Sequence, residues 1–155
     1  FLLSLDPVDA TYETLITELQ HSGNAIIVPH GLQFSLESLM ETPERQTGRL
    51  VFYNVLKIYK EMLTNIVKHA GAKSVLVRVA LRSGLFTLSV ADDGGGMHPG
   101  KIKGRGIENM KTRAKDMGGG LLVLSDQGTR VCLEVPVGPA DDIKNSGNPA
   151  MEVKA

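Results

Sequence analysis

The sequence predicts an α+β protein: a two-layer α/β sandwich with a mixed, mostly antiparallel sheet covered on one face by helices. Three observations lead there. Helical periodicity alternates with short runs that switch between apolar and polar residues, tight-turn residues separate those runs into pairs, and the longest helical segment has one apolar and one polar face. Segments in that order bury themselves best as helices laid on a sheet built from hairpins.

Taken in order, Val8, Tyr12, Leu15, Ile16 and Leu19 fall at helical spacing over residues 7–20, with Asp6 as N-cap ahead of Pro7. That helix is expected to end near Gly23. Residues 25–28 and 32–36 are two apolar runs around Pro29-His30-Gly31, which reads as a first hairpin. Thr42-Pro43-Glu44 opens the longest periodic segment, reaching about His69 and closed by Gly71, with Gly48 a weak point near its start.

Residues 73–82 and 85–91 alternate across Ser83-Gly84, a second hairpin. Residues 92–106 are glycine-rich and break the pattern. A helix follows over 107–117, and residues 121–124 and 129–135 form a last strand pair around Asp126-Gln127-Gly128. From Gly138 onward little remains to bury, so 138–155 reads as a disordered tail. The expected division is therefore 1–23, an N-terminal helix leading in from a further domain, 24–137, the folded domain, and 138–155, the tail.

At 155 residues the chain supports one domain with a proper core. Seventeen Lys and Arg balance 17 Asp and Glu, so no net field recommends nucleic acid or an acidic membrane as partner. A charged ligand must then be bound locally. The one cysteine, Cys132, lies in the alternating run 130–135 and reads as a small core residue, which suits a reducing, cytoplasmic setting. No apolar stretch approaches the roughly 20 residues of a membrane span, which leaves open a membrane-anchored parent.

Three segments carry chemistry. On the long helix, at about 100° per residue, Asn65, Lys68 and His69 fall within roughly 80° of Glu61, while Leu56, Tyr59, Leu63, Ile66 and Ala70 gather on the opposite side. Alone, that describes any amphipathic surface helix. The second segment, Asp92-Asp93-Gly94-Gly95-Gly96-Met97, sets a carboxylate at a strand end ahead of glycines. It can accept from an exocyclic amine while missing Cβ atoms let a planar ring approach, although ordinary turns use the same residues. It lacks the spaced oxygens of a calcium loop.

The third segment, Lys103-Gly104-Arg105-Gly106-Ile107, runs glycines into a helix start, where exposed N–H groups and the helix dipole favour phosphate. No Gly-Lys-Ser or Gly-Lys-Thr follows, which excludes a Walker-type loop, and hairpins in place of βαβ units disfavour a dinucleotide fold.

Together these residues resemble a known family. Residues 61–70 resemble the N box of the GHKL ATPases, the superfamily of gyrase, MutL and histidine kinases, and 92–96 and 104–106 resemble its two glycine boxes. The run 106–114, with Gly118-Gly119 behind it, is similar to the nitrate- and desaturase-type sensor kinases, and Gly128-Thr129 with Val135-Pro136 to their closing strands.

The resemblance implies a Bergerat ATP-binding fold and the ATP-binding catalytic domain of a two-component sensor histidine kinase. ATP and Mg²⁺ are its implied cofactors. Glu61 would act on the attacking group, Asn65 would ligand Mg²⁺, and Lys68 and His69 would offset phosphate charge. Asp92 would accept from the adenine amino group, Gly94, Gly96 and Met97 would let ring and lid pack, and Thr129 would support Asp92. Gly104, Arg105, Gly106 and Ile107 would hold the phosphates.

The implied partners are a dimerisation and histidine-phosphotransfer domain of the same protein and a response regulator. The isolated domain would be monomeric within a homodimeric parent. His21 lacks an acidic neighbour, His30 lies in a turn and His98 in the lid, so none reads as the phosphoacceptor, which is expected upstream of Phe1. An anti-sigma-factor-type serine kinase and a non-catalytic ATP-binding regulatory module share the boxes and stand as alternatives.

Overall fold

The computed structural model describes residues 10–95, 105–125 and 127–138, apart from the side chains of His69, Ala70 and Arg105. Five strands form one sheet in the order β1-β2-β3-β5-β4: β1 is Gln33–Met40, β2 Ser74–Arg82, β3 Leu85–Asp92, β4 Gly120–Ser125 and β5 Thr129–Pro136. β1 pairs parallel with β2, and the other three pairings are antiparallel. Helices α1 (Tyr12–Ile27), α2 (Arg49–Asn65) and α3 (Arg105–Asp116) provide the second layer.

Alternation decides which face the helices cover. Val75, Val77, Val79 and Leu81 of β2, Phe86, Leu88 and Val90 of β3, and Val131, Leu133 and Val135 of β5 share one face and are all buried. Against them lie Leu15, Leu19 and Ile27 of α1, Phe52, Leu56, Tyr59 and Leu63 of α2, and Ile107, Met110 and Ala114 of α3, all in one core cluster. The opposite face carries Arg78, Glu37, Arg130 and Glu134, with Cys132 half-buried among them. The Glu37–Arg78 ion pair at 3.1 Å is exposed there and contributes little to stability.

Three expectations are corrected. The first helix starts at Tyr12 rather than Pro7, with Thr11 as its cap: Thr11 Oγ1 accepts from Thr14 N at 3.2 Å, and Thr14 Oγ1 accepts from Thr11 N at 3.0 Å. It cannot start earlier, because Thr47 N donates to Ala10 O at 2.7 Å and Thr11 bridges Gln46, which holds residues 10–11 extended. The expected cap Asp6 lies outside the described residues. The helix also runs on through Gly23, where a Cβ would overlap the Phe34 ring and the Tyr59 hydroxyl. Gly23 is thus a packing glycine, and the helix ends only at Ile27, ahead of Pro29 in a 3₁₀ turn.

There is accordingly no first hairpin. Residues 25–27 belong to α1, and β1 lies beside β2 in parallel register, Gln33 opposite Ser74, an arrangement that requires the crossover supplied by α2. Five strands stand where six were expected. The third correction is at α2, which begins at Arg49 rather than Thr42, because Gly48 takes φ 79° and ends the preceding loop.

The remaining elements follow the sequence reading. Ser83 and Gly84 both take positive φ, 52° and 76°, as a two-residue turn between β2 and β3 demands. Gly71 closes the long helix with φ 61°. Ahead of it, however, Ile66–Ala70 forms a π turn. Among the described residues no helix is long and apolar enough to cross a membrane.

Candidate functional site

Where β3 ends and β5 begins, a cleft opens between the last turn of α2 and the first turn of α3. Met62, Asn65 and Ile66 form one wall, Val90 and Asp92 with Thr129 and Val131 form the floor, and Ile107 faces them from α3. Its atom-free space, counted out to the solvent at its mouth, is about 350 Å³. Five apolar side chains and three polar ones line it, the balance expected of a site that takes a flat organic ring and fixes it by a few polar contacts.

Asp92 is the last residue of β3 and only 8% exposed. Burial pushes its carboxyl above the ordinary value near 3.8, partly countered by the main-chain N–H groups of Gly94 and Thr129, and the Asp93 charge adds to the rise. Gly94 N donates to Asp92 Oδ1 at 2.8 Å. On the neighbouring strand, Thr129 Oγ1 is buried in the cleft floor with no hydrogen-bond partner among the described residues. A buried hydroxyl left so is uncommon, and a bound water or ligand group in the cleft would complete it.

From the helix layer, Asn65 is the final residue of α2, and its side chain enters the cleft. Glu61 stands one turn earlier. A Cβ at Gly106 would overlap the Glu61 carboxylate, so these two residues are in close contact and the glycine is what admits the acid to the start of α3. The long helix and the glycine segment, 45 positions apart in the chain, therefore meet at one point.

Of the residues expected in the site, Asn65, Asp92, Ile107 and Thr129 line the cleft, and Glu61, Gly94 and Gly106 border it. Lys68 is exposed and is not part of the lining. The π turn explains this: its wider spiral shifts residues after Asn65 away from the positions that 100° per residue assigns. His69 and Arg105 have no described side chains, although Arg105 starts α3, and Gly96, Met97 and Gly104 lie outside the described residues.

Some members of the site went unread in the sequence. Met62, Val90 and Val131 are its apolar wall, and Val90 was legible in principle, because it sits two residues before Asp92 and so on the same face. Gly128 was read only as a turn residue. With φ 117° it packs so closely on β3 that a Cβ would overlap the Asp92 carbonyl. Asn54, buried on α2, accepts from Arg113 Nη1 at 2.9 Å, and the Arg113 guanidinium lies 5.6 Å from the centre of the Tyr53 ring, a tie between α2 and α3 that no motif announces.

The profile of the histidine kinase-, DNA gyrase B- and HSP90-like ATPase family matches residues 54–139, more than half of the chain. The chain belongs to this family. The match takes in Glu61, Asn65, Asp92, Gly106 and Thr129, and so spans the residues that line and border the cleft. Among similar proteins, the signal transduction histidine-protein kinase/phosphatase UhpB of Salmonella typhimurium is 34% identical over 97 residues, covering 62% of this chain and 19% of that protein. The sensor histidine kinase LiaS of Bacillus subtilis is 30% identical over 96 residues, 59% of this chain and 27% of that one. DesK of the same organism is 31% identical over 86 residues, 54% and 23% respectively.

The chain thus spans from 19% to 27% of the length of these relatives. Among solved structures, the histidine kinase domain of a blue-light activated kinase from Erythrobacter litoralis superposes with TM-score 0.66 at 20% identity, covering 86% of this chain and 65% of that one. Acinetobacter baumannii histidine kinase AdeS gives TM-score 0.66 at 12% identity over 83% of this chain and 66% of that one. At such identities the likeness speaks for the fold.

Proposed function

We propose that the chain is the ATP-binding catalytic domain of a two-component sensor histidine kinase, which transfers the γ-phosphoryl group of ATP to a histidine on a separate dimerisation domain for relay to a response regulator. The observation that carries this is the meeting of Asp92, Thr129 and Asn65 in one cleft with Glu61 at the start of α3. Each then has a task set by its chemistry. Asp92, an acceptor on the cleft floor, takes the hydrogen bond of the adenine amino group and disfavours guanine, which has a carbonyl there. The unpartnered Thr129 hydroxyl completes the contact beside it, directly or through a water.

Phosphates lie toward the first turn of α3, whose N–H groups and dipole favour anions. Glu61, held at that turn by Gly106, orients the attacking histidine nitrogen and takes its proton, while the bond from the γ-phosphorus to the bridging oxygen breaks and ADP leaves. The sequence pattern further assigns the offsetting of phosphate charge to Lys68, His69 and Arg105, and the packing of ring and lid to Gly94, Gly96, Met97 and Gly104.

Mg²⁺ fits the donor set in one way. Among the described residues no three His, Cys, Asp or Glu side chains cluster, so these residues offer the ion no cage. Asn65, an oxygen ligand in the cleft, suits a hard cation that takes its other ligands from phosphate and water. When bound, the ion neutralises charge developing on the phosphates.

We further assign residues 24–137 to the catalytic domain, residues 1–23 to the lead-in from the dimerisation domain and residues 138–155 to a tail. The domain would be a cytoplasmic monomer within a homodimeric parent. Calorimetry with Mg-ATP and Mg-GTP, followed by labelling from γ-labelled ATP, tests the proposal. The domain is expected to prefer ATP, to label neither itself nor water appreciably, and to yield acid-labile phosphohistidine once the parent's dimerisation domain is supplied, a product that Asn65→Ala abolishes. Equal affinity for the two nucleotides, acid-stable label on serine, or fast turnover by the domain alone would refute it.

A further inference from the structure

Asp92 ends the β3 ladder. Its partner across the sheet is Val75, the second residue of β2, and beyond Asp93 the chain continues in Gly94 and Gly95, which have little conformational restraint of their own. Strand ends of this kind fray, and a frayed end would leave the Asp92 carboxylate without a fixed direction.

Asp93 takes over where the ladder stops. Its Oδ1 accepts from Lys73 N at 2.8 Å and from Ser74 N at 2.9 Å, and its Oδ2 accepts from Ser74 Oγ at 2.9 Å. One carboxylate thereby ties the residue after Asp92 to Ser74, which opens β2, and to Lys73 just before it. Successive side chains of an extended chain point to opposite sides, so Asp92 enters the cleft while Asp93 stays exposed and outside it. From the other flank, Gly128 is packed so that a Cβ there would lie 3.4 Å from Asp93 Cα and overlap the Asp92 carbonyl. The main chain at 92–93 is thus held between the start of β2 and the start of β5.

We propose that Asp93 is a positioning residue for the nucleotide base: by gripping Lys73 and Ser74 it fixes the Asp92 carboxylate, and so sets discrimination between 6-amino and 6-oxo purines without touching either. This rests on the reading of Asp92 as the acceptor of the adenine amino group. The hydrogen bonds to Asp93 also hold its carboxyl below the usual value, with Ser74 N the largest contributor, then Lys73 N and the Ser74 hydroxyl, as three donors converging on an ionised acceptor would.

Mg-ATP and Mg-GTP affinities are to be measured by calorimetry for the wild-type chain, Asp92→Asn, Asp93→Ala, Asp93→Asn and Ser74→Ala, with hydrogen exchange read at Lys73 and Ser74. Asp93→Ala should cut the ATP/GTP affinity ratio roughly tenfold through ATP alone, the scale of one well-placed hydrogen bond, and unprotect both amides. Asp93→Asn keeps an oxygen facing them and should stay within about twofold of wild type, and Ser74→Ala, which removes one bond of three, should fall between.

A purely structural role would weaken both nucleotides together. An unchanged ratio in Asp93→Ala, or in Ser74→Ala should the former not fold, overturns the proposal, as does an Asp93→Asn as impaired as Asp93→Ala. If the wild type prefers ATP and Asp92→Asn does not, the base reading stands whatever Asp93 does. A wild type with no preference removes both.

Discussion

Gly106→Ala separates the role of Glu61 from the stability of the fold. Gly106 is the second residue of α3, and the methyl group would overlap the Glu61 carboxylate. The obstacle is the far end of a flexible side chain, so the overlap is relieved when that carboxylate retreats by roughly 1 Å, at little cost to packing. The helix gains up to about 1 kcal/mol from replacing glycine by alanine, less in a first turn. Melting temperature should therefore hold or rise slightly. Transfer to the acceptor histidine should nevertheless fall by about 10- to 100-fold, the usual consequence of moving a catalytic group by about 1 Å. Mg-ATP affinity should fall by much less than transfer, because Asn65, Asp92 and Thr129 are untouched and the main-chain N–H groups of the α3 first turn remain. The assay is single-turnover labelling beside a thermal melt and calorimetry. Unimpaired transfer in a folded Gly106→Ala would refute the placing of Glu61 at the reaction centre, and a marked loss of stability would refute the claim that the carboxylate yields freely.

Gly128→Ala meets a different obstacle, the Asp92 main-chain carbonyl, at a φ of 117° that alanine disfavours, so it should destabilise the domain by about 1–3 kcal/mol by denaturant titration and weaken nucleotide binding with it. Asp92→Asn should weaken Mg-ATP by about 1–3 kcal/mol while raising the melting temperature of the nucleotide-free domain. The sign follows from linkage. Burial raises the Asp92 pKa in the fold, so the wild type loses stability as pH climbs from about 3.8 through the raised value. The advantage of Asn should thus be present at neutral pH and vanish in acid, and an advantage that grew in acid would contradict the burial argument.

Much of this protein is written locally and can be read from the chain alone. The Ser83-Gly84 turn, the alternation of β2, β3 and β5 and the closing Gly71 depend on residues next to one another, and the structure keeps them. The boxes that line the cleft were also legible, because a carboxylate at a strand end, an amide on a polar helix face and glycines at a helix start are patterns of neighbouring residues. Asp92, Asn65, Thr129 and Ile107 accordingly meet in one cleft.

What the sequence left undecided was whatever depends on contact between distant segments. Gly23 reads as a helix stop until Phe34 and Tyr59 are seen to need its missing side chain, and with that reading the first hairpin gives way to a parallel β1. The direction of a strand is carried by its neighbours, so residues 32–36 could not declare it. The π turn after Asn65 takes Lys68 out of the cleft, against the regular spiral that sequence spacing assumes. Gly106 against Glu61, Gly128 against Asp92 and Asp93 against the start of β2 are likewise three close approaches between residues far apart in the chain. Each is a steric or hydrogen-bonding fact about two places at once, and only the packed chain brings those places together.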